Sequence, residues 1–326
     1  MNGTCVGKLN VLLPIFCMVA SNERGRAFEW AVRNELLRFA ESKGLEAEAT
    51  AHTKERDSVE KSYFDELDST TQKSFASGAK TFIGWVEKQG WIDGAEHLSV
   101  ERVPDNIAKE QNDMTDIRLH IKHGKKTETR NISIKHRHDA LCPPRLPSLP
   151  EQCGITDKEI DEAYREQYKK IWQEYYSEAK KFNPKASTHP ELPQEFKVEN
   201  LYKPLQENAI GFLRKHANNP SGASAFFRYL IGSKDYYVLK NAADYIEIKH
   251  FVGIKMPSSF SIEYPWNGLF TTFLMEFNNG WKVTLRVHNA SSRLEKEDGS
   301  IYMTEKEDPI CRNLGEVTKV MQITKE

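Results

Sequence analysis

An aspartate and a Ser-Ile-Lys tripeptide lie in two short runs in which apolar and polar side chains alternate. Asp116 starts the first run, residues 116–122, and Ser133, Ile134 and Lys135 lie in the second. Because strand side chains alternate between the two faces of a sheet, Ser133 and Lys135 share a face and Ile134 points into the core. A carboxylate, a main-chain carbonyl and a lysine in this layout predict metal-assisted hydrolysis of a phosphodiester. The alternative interpretation is structural, with Asp116 capping a strand and Lys135 exposed to solvent.

A second carboxylate is needed, because the tripeptide has serine where such sites commonly have an acid. Glu29 on a predicted helix is the preferred candidate, and Glu128 in the hairpin and Glu151 beyond a proline-rich stretch are alternatives. Mg²⁺ accepts carboxylate, carbonyl and water oxygens, so one or two protein carboxylates can hold it. We therefore expect Mg²⁺ to bind Asp116, Glu29 and the carbonyl oxygen of Ile134.

The stretch around this tripeptide is strongly basic, although the whole chain has a net charge of only −1. Between residues 117 and 145, eight lysine and arginine side chains are opposed only by Glu128 and Asp139. Four histidines lie in the same stretch. A local positive field of this kind suits a phosphate backbone, so a nucleic acid is the expected partner.

The histidines also allow a different interpretation, a zinc site. His136 and His138 would share one strand face, with His123 and Cys142 as further ligands. However, the five cysteines contain no CxxC pair to complete a tetrahedral set. Their scattered positions favour a reducing cytoplasm over a disulfide scaffold.

The N-terminal segment is apolar from about residue 9 to residue 20, and Asn10 and Pro14 interrupt it. It is too short for a membrane span, which needs ~20 apolar residues, but it resembles a weak secretory signal. We expect a buried strand or an over-extended start instead, and a cytoplasmic protein with no membrane contact.

Helical periodicity recurs in several parts of the chain. Residues 26–42 carry one apolar stripe, and residues 50–90 form a second helical region. A long helix is predicted from Thr156 to Phe182, because Thr156 and Glu159 have the spacing of a capping box. Two further helices are predicted at residues 204–217 and 222–232.

The last third of the chain is rich in predicted strands, at residues 236–240, 245–252, 269–277 and 281–288. Asn279 and Gly280 lie between the last two, which predicts a hairpin with a type I′ turn. Hydrophobic residues make up 39% of the chain, which excludes wholesale disorder. The expected fold is mixed α/β (α+β), with a large helical region and a strand-rich C-terminal segment. The expected parts are an N-terminal segment (1–20), a core with the catalytic hairpin (21–155), a helical region (156–232) and a strand-rich part (233–326).

Three separated blocks together resemble the HaeIII family of type II restriction endonucleases. The first is Arg-Gly-Arg-Ala-Phe-Glu-Trp-Ala at residues 24–31. The second combines Thr115-Asp116-Ile117 with residues 132–140, and is similar to the family's catalytic hairpin, including the serine. The third, residues 279–292, resembles the family's C-terminal segment. Their order and approximate spacing agree over roughly residues 20–295.

This resemblance implies a PD-(D/E)xK nuclease fold, dependence on Mg²⁺ and sequence-specific cleavage of double-stranded DNA. The family's prototype cuts GGCC between G and C and leaves blunt ends. By carry-over, Asp116 is the metal ligand, Lys135 the catalytic lysine and Glu29 the second acid. A palindromic target predicts a homodimer on DNA, and a cognate DNA methyltransferase would protect the host.

Arginine and lysine suit guanine in the major groove, whereas asparagine suits adenine. The candidates for DNA contact are His136, Arg137, His138, Arg145, Arg286, His288, Asn289 and Arg293. Two other functions stay open: a DNA-binding protein that kept the fold but lost cleavage, because Ser133 weakens the metal site, and a repair nuclease that recognises DNA structure.

Overall fold

The computed structural model describes residues 21–104, 113–136, 141–303, 305–313 and 317–325. It shows two β-sheets with helices packed on them, which confirms the mixed α/β class. The N-terminal segment of residues 1–20, with Arg137 and His138, lies outside the described residues. None of the helices in the described ranges is both long enough and apolar enough to cross a membrane.

Seven strands form the larger sheet, which contains both parallel and antiparallel neighbours. In spatial order the strands are Glu46–Ala49 (β1), His97–Arg102 (β2), Ile117–His123 (β3), Lys126–His136 (β4), Tyr236–Asn241 (β5), Tyr245–Phe251 (β6) and Val317–Thr324 (β11). Strands β1 and β2 are parallel, as are β4 and β5, and the other neighbours are antiparallel. The sheet is therefore mixed, and the tripeptide lies on a central strand.

The predicted hairpin is confirmed as β3 and β4. Ile117 lies opposite Ile132, and Gly124 takes the positive φ of 59° that the connecting turn requires. Strand β4 extends beyond the start of β3, so residues 133–136 continue past the last residue pair with β3. This overhang leaves one edge of β4 open beside Asp116.

Three helices cover one face of the larger sheet: Ser21–Ser42 (α1), Ala51–Asp65 (α2) and Ser69–Lys88 (α3). Their apolar side chains and those of the sheet form one core, which includes Phe28, Phe82, Leu119 and Ile132. The predicted stripe on the first helix is thus confirmed as its buried face. The single helical region predicted for residues 50–90 is two helices, because Asp68 caps the second of them.

A second core lies between the remaining helices and a four-stranded antiparallel sheet. It includes Trp172, Phe226, Phe227, Met275 and Trp281. The helices are Leu149–Gln152 (α4), Lys158–Phe182 (α5), Gln194–Lys197 (α6), Lys203–His216 (α7) and Pro220–Ile231 (α8), and a π-helical turn, Val198–Tyr202, joins α6 to α7. The smaller sheet contains Phe260–Glu263 (β7), Thr272–Phe277 (β8), Lys282–Asn289 (β9) and Glu305–Asn313 (β10), in the order β10-β9-β8-β7.

Two local predictions were wrong in detail. Helix α5 is capped by Asp157, whose side chain accepts hydrogen bonds from the main-chain N–H groups of Glu159 (2.9 Å) and Ile160 (3.3 Å). The Thr156 capping box is therefore absent. The β8–β9 hairpin exists, but of its turn residues only Gly280 has a positive φ, whereas a type I′ turn needs two. The turn matches a type I turn followed by a left-handed glycine.

Candidate active site

Asp116 is fixed at the start of β3 by hydrogen bonds to β4. Its main-chain N–H donates to the carbonyl oxygen of Ile132 at 2.9 Å. Its carboxylate oxygen Oδ2 accepts from the N–H of Ile134 at 2.6 Å and from the hydroxyl of Ser133 at 3.2 Å. Among the described residues, both hydrogen bonds to this carboxylate are accepted by the same oxygen. A cation at this site would therefore be held by the other oxygen, Oδ1.

The segment before Asp116 is held by a second aspartate. Asp113 accepts hydrogen bonds from the N–H of Thr115 (3.0 Å) and from Lys234 Nζ (2.8 Å), and it is paired with Arg118. Burial acts to raise the pKa of Asp113, but the hydrogen bonds from Lys234 and Thr115 outweigh it and lower that pKa. An ionised Asp113 therefore anchors the turn that presents Asp116.

Main-chain geometry directs the carbonyl of Ile134 toward the same place. In a strand, the N–H and C=O of one residue point to the same edge. Because the N–H of Ile134 points to Asp116, its carbonyl oxygen does so too. No strand pairs with β4 on this side after Ile132, so among the described residues this carbonyl has no ladder partner. It is in position to bind a cation beside Asp116.

Lys135 lies on the same sheet face as Ser133, as the alternation predicted. Ile134 packs into the core beneath the helices, whereas Lys135 is partly exposed on the opposite face. The tripeptide therefore presents a serine hydroxyl, a main-chain carbonyl and an ammonium group around Asp116.

Glu29 reaches the same edge of the sheet from helix α1. It is buried, and burial together with the negative charge of nearby Asp116 raises its pKa from 4.5 to about 7. Arg26, one helical turn earlier, donates to Glu29 Oε2 at 2.7 Å. The negative charge of Asp116 is the second cause of this raised pKa, after burial, so Glu29 stays the preferred candidate for the second acid.

A buried ion network lies behind Glu29. Arg102, at the end of β2, lies 4.0 Å from Glu29 Oε2 and 2.6 Å from Glu60 Oε1. The other oxygen of Glu60 accepts from Arg33 Nη1 at 2.6 Å. All three side chains of this network are at least nine-tenths buried. Glu60 therefore holds two buried guanidinium groups, one of which lies against Glu29.

We expect Glu60→Gln to destabilise the fold by about 3 kcal/mol, because it leaves Arg33 and Arg102 buried opposite a neutral amide. Urea unfolding at neutral pH measures this loss. Glu55→Gln, an exposed change on the same helix, is the matched control and should alter stability by less than ~0.5 kcal/mol. Equal effects of the two changes would contradict a structural role for this network.

The two alternative acids lie elsewhere. Glu128 is near the hairpin turn, where it pairs with Lys126 (3.2 Å) and Arg130 (3.0 Å). Ile132 comes four positions later on the same strand, which places it roughly 13 Å from Glu128. Glu151 is an exposed residue of α4. The charge of Asp116 helps to raise the pKa of Glu29, which favours Glu29 as the second acid.

The donor set fits a hard cation such as Mg²⁺. It comprises the carboxylate of Asp116, the carboxyl group of Glu29 and the carbonyl of Ile134, and Mg²⁺ commonly keeps several waters. Burial is the main cause of the raised pKa of Glu29 and the negative charge of Asp116 adds to it, and a bound cation would oppose both effects. In the described part of the chain, no three His, Cys, Asp or Glu side chains form a closed metal cluster. A cation here would therefore depend on the carbonyl and on water.

The zinc alternative gains no support from the described residues. His123 ends strand β3 next to the hairpin turn, whereas His136 ends β4 at the opposite end of the hairpin. Strand geometry thus separates these two candidate ligands by the length of the hairpin. His138 lies outside the described residues.

Several of the residues proposed for DNA contact meet on the outer face of the smaller sheet. His288 and Arg286 on β9 both pair with Asp308 on β10, at 2.9 and 3.3 Å. Lys306 is the register partner of His288, and Arg145 forms an isolated bridge with Lys306. Arg145 therefore lies beside β10, which separates it from Arg286 and His288 on β9, and Lys306 between them is an addition that the sequence did not indicate.

The other DNA-contact candidates are placed differently. Both polar atoms of the Asn289 side chain are buried, so this residue cannot read a base edge in this conformation. Arg293 is 60% exposed and lies 3.7 Å from Glu297. The backbone of His136 pairs with Asn241 at the end of β4. Arg137, as noted, is outside the described residues.

Sequence reasoning missed the arginines beside Glu29. Arg26 is three residues before Glu29 on one helix, a spacing that signals an ion pair. Arg102 and Glu60 carry no such signal, because strand β2 and helix α2 meet only in the folded chain. The positive groups that stabilise Glu29 were therefore predictable only in part.

Comparison with known proteins adds no further assignment. The chain matches no protein-family model, and no curated protein matches its sequence. The resemblance to the HaeIII family stays a prediction, and functional inference depends on the geometry around Asp116.

Proposed function

We propose that this protein is a Mg²⁺-dependent endonuclease that hydrolyses phosphodiester bonds in double-stranded DNA, as the resemblance to type II restriction endonucleases suggests. The observation that supports it best is the position of Asp116. Its carboxylate accepts hydrogen bonds from Ser133 and Ile134 of the tripeptide, and its charge helps to raise the pKa of Glu29. Two carboxyl groups, a carbonyl and a lysine at one open strand edge are the groups that phosphate chemistry needs. A residue that only caps a strand would not need the others.

Each residue has a distinct role in this proposal. Asp116, Glu29 and the Ile134 carbonyl would hold the cation, which supplies an acidified water and neutralises charge on the phosphate. Ser133 and the Ile134 N–H orient the Asp116 carboxylate through its Oδ2. Lys135 would stabilise the negative charge that builds on the phosphate oxygens in the transition state.

The finer parts of the proposal come from the family resemblance. They are a PD-(D/E)xK core, a palindromic target such as GGCC with a blunt cut, a homodimer on DNA, a partner methyltransferase and a cytoplasmic location. A second candidate function is a DNA-binding protein without cleavage. It is favoured by Ser133, which brings no negative charge to the position where an acid is common.

We expect wild-type protein to cut unmethylated phage DNA into discrete fragments when Mg²⁺ is present and not when EDTA replaces it. Gel electrophoresis detects the fragments, and sequencing their ends identifies the site. A smear of fragments would favour a structure-specific nuclease. Tight binding of the same DNA without cleavage, at any Mg²⁺ concentration, would contradict the enzyme and leave the inactive binder.

A further inference from the structure

Two adjacent apolar side chains project from the loop between β7 and β8. Leu269 is 53% exposed and Phe270 is 38% exposed. Six large hydrophobic side chains are exposed in the described part of the chain, and only these two are neighbours in sequence. Single exposed hydrophobic residues are ordinary, but a contiguous exposed group indicates a place where a partner binds. We call Leu269 and Phe270 the apolar tip.

The apolar tip lies on an ordered turn beside β9. Asn267 and Gly268 both have a positive φ, 51° and 75°. The N–H of Thr272, the first residue of β8, donates to the carbonyl oxygen of Leu269 at 3.0 Å. Thr272 is in turn the register partner of Arg286. The tip is therefore one turn away from an arginine.

That arginine lies on the outer face of the smaller sheet. Arg286 is 59% exposed, and its neighbours Leu285 and Val287 pack into the second core, so Arg286 points outward. Its register partner is Asp308, whose carboxylate lies 3.3 Å from Arg286 and 2.9 Å from His288. One carboxylate therefore serves two basic side chains.

Two further cations adjoin this carboxylate. Lys306 lies two residues before Asp308 on β10 and so shares its face. Arg145 is exposed and forms an isolated bridge with Lys306. We call Arg145, Lys306 and Arg286 the basic strip. Asp308 is the only acid that forms an ion pair with the strip in the described part of the chain, so three permanent positive charges face one negative charge.

The surface on the other side of the tip carries acids instead. Lys203 of α7 lies 4.7 Å from the centroid of the Phe270 ring, but it pairs with Glu199 at 3.4 Å. Burial raises the pKa of Tyr264 in the same loop, and the charges of Glu207 and Glu199 add to this effect. A polyanion must therefore approach the tip from the outer face.

The outer face is also close to the candidate active site. His136 ends β4 directly after Lys135, and the N–H of Leu141 donates to the carbonyl oxygen of Pro309 on β10 at 3.2 Å. Five residues span at most ~18 Å. This length equals about five base pairs of duplex at roughly 3.4 Å each. One bound duplex can thus contact both places.

We propose that the apolar tip enters the minor groove of the bound duplex and wedges between two base pairs, while the basic strip holds the phosphates beside that step. Leucine and phenylalanine wedges of this kind unstack one step and kink the duplex, and flanking lysine and arginine bind its backbone. This inference rests on the proposed function and deepens it, because it predicts that the DNA is bent close to the cut.

Energy transfer between two dyes tests the kink separately from cleavage. The probe is a duplex of about 20 base pairs, roughly 68 Å long, with a donor and an acceptor at its two ends. Its sequence comes from a phage fragment that the protein binds in EDTA, and anisotropy confirms saturation. A kink of roughly 20–90° brings the ends closer, so we expect wild-type protein to raise the transfer efficiency. Leu269→Ser combined with Phe270→Ser should abolish that rise.

Two further variants show whether the apolar character of the tip is the cause. Leu269→Met combined with Phe270→Leu keeps the wedge apolar and should retain the rise. Ile160→Ser, the matched control, alters a 38% exposed side chain of α5 and should also retain it. Helix α5 lies on the core side of the sheet, where Tyr168 donates to Glu305 of β10. Thermal unfolding of each variant checks that the fold is retained.

The basic strip is tested by the salt dependence of binding to the same duplex. Each phosphate contact contributes about 0.9 to the slope of log affinity against log salt. Lys306→Gln should therefore reduce the slope by about 0.9, and Lys306→Arg should restore it. An unchanged slope in Lys306→Gln would overturn the part assigned to the strip.

The outcomes separate this inference from the proposed function. A wild type that binds and cuts DNA without a rise, or a rise that the serine substitutions leave unchanged, overturns the wedge and leaves the nuclease. A rise that is lost with those substitutions, in a protein that does not cut when Mg²⁺ is added, supports the wedge and contradicts the nuclease. If sedimentation shows that the free protein is a dimer and that the serine substitutions dissociate it, the tip joins two copies and the wedge is overturned. Absence of binding to any duplex overturns both.

Discussion

Asp116→Asn is expected to reduce Mg²⁺-dependent cleavage of duplex DNA at least about a thousandfold, or roughly 4 kcal/mol in the activation barrier. Asparagine has the same shape and can still accept the hydrogen bond from the Ile134 N–H, so the main chain should not move. It lacks the negative charge that holds the cation against the phosphate. Single-turnover cleavage with saturating protein measures the loss without interference from product release.

A second consequence of the same change concerns Glu29. The charge of Asp116 helps to raise the pKa of Glu29 to about 7, although burial contributes more. Removing that charge must lower the pKa of Glu29 toward its ordinary range. Exposure of Glu29 in a misfolded variant would also lower this pKa, so thermal unfolding of Asp116→Asn is needed to show that the fold is retained.

The matched control is Glu128→Gln, which removes a carboxylate from the same hairpin near its turn. Its side chain is held by Lys126 and Arg130, so cleavage should stay within a few-fold of the wild-type rate. DNA binding in EDTA should survive both changes. If Glu128→Gln lost cleavage and Asp116→Asn kept it, the metal site would lie near the hairpin turn, and the assignment to Asp116 would be contradicted.

The β3–β4 hairpin could be predicted from sequence because the pattern that specifies it is local. Alternation at residues 116–122 sets the faces of β3, and a short turn forces β4 to return beside it. The contact between Asp116 and the tripeptide follows from that pairing alone. The α5, α7 and α8 helices were likewise found by their apolar periodicity, with ends that differ by one or two residues.

The surroundings of the site could not be predicted, because they depend on pairings that are distant in sequence. Nothing near Lys135 indicates that β5 runs parallel to β4, so the position of Lys240 beside Lys135 could not be predicted. Strand β10 was missed because its residues are largely charged, and the usual apolar alternation is replaced by buried glutamates. Pattern reading assigns a charged run to the surface, and tertiary packing overrides it here.

The buried Glu307 of β10 should make stability strongly dependent on pH. Glu307 faces the second core, where its carboxylate accepts a hydrogen bond from Gln206 Nε2 at 3.2 Å and is 2% exposed. Burial raises the pKa of Glu307 from 4.5 to about 8, and the Gln206 hydrogen bond only partly opposes this. The folded chain therefore keeps Glu307 protonated over a range in which the unfolded chain has released that proton.

The direction of the effect follows from proton linkage. Below about pH 4.5 both states hold the proton, and Glu307 causes no penalty. As the pH rises, the unfolded state is stabilised by ionisation, so the free energy of unfolding falls until about pH 8 and then levels off. At 1.36 kcal/mol per pKa unit, the loss approaches about 5 kcal/mol at its upper limit.

Glu307→Gln is expected to abolish this loss, because the neutral amide has nearly the same shape as the protonated carboxyl and can still accept from Gln206. Urea unfolding of both proteins from pH 4.5 to 9 gives the test. The free energy of unfolding of the variant should equal that of the wild type at pH 4.5 and exceed it by several kcal/mol at pH 9. The control, Glu297→Gln, alters a 93% exposed side chain and should equal the wild type at every pH. Glu29 titrates in the same window in both proteins, so the difference between them isolates Glu307. A difference that does not change with pH would mean that Glu307 is ionised in the folded protein, with a cation or water reaching it through the second core.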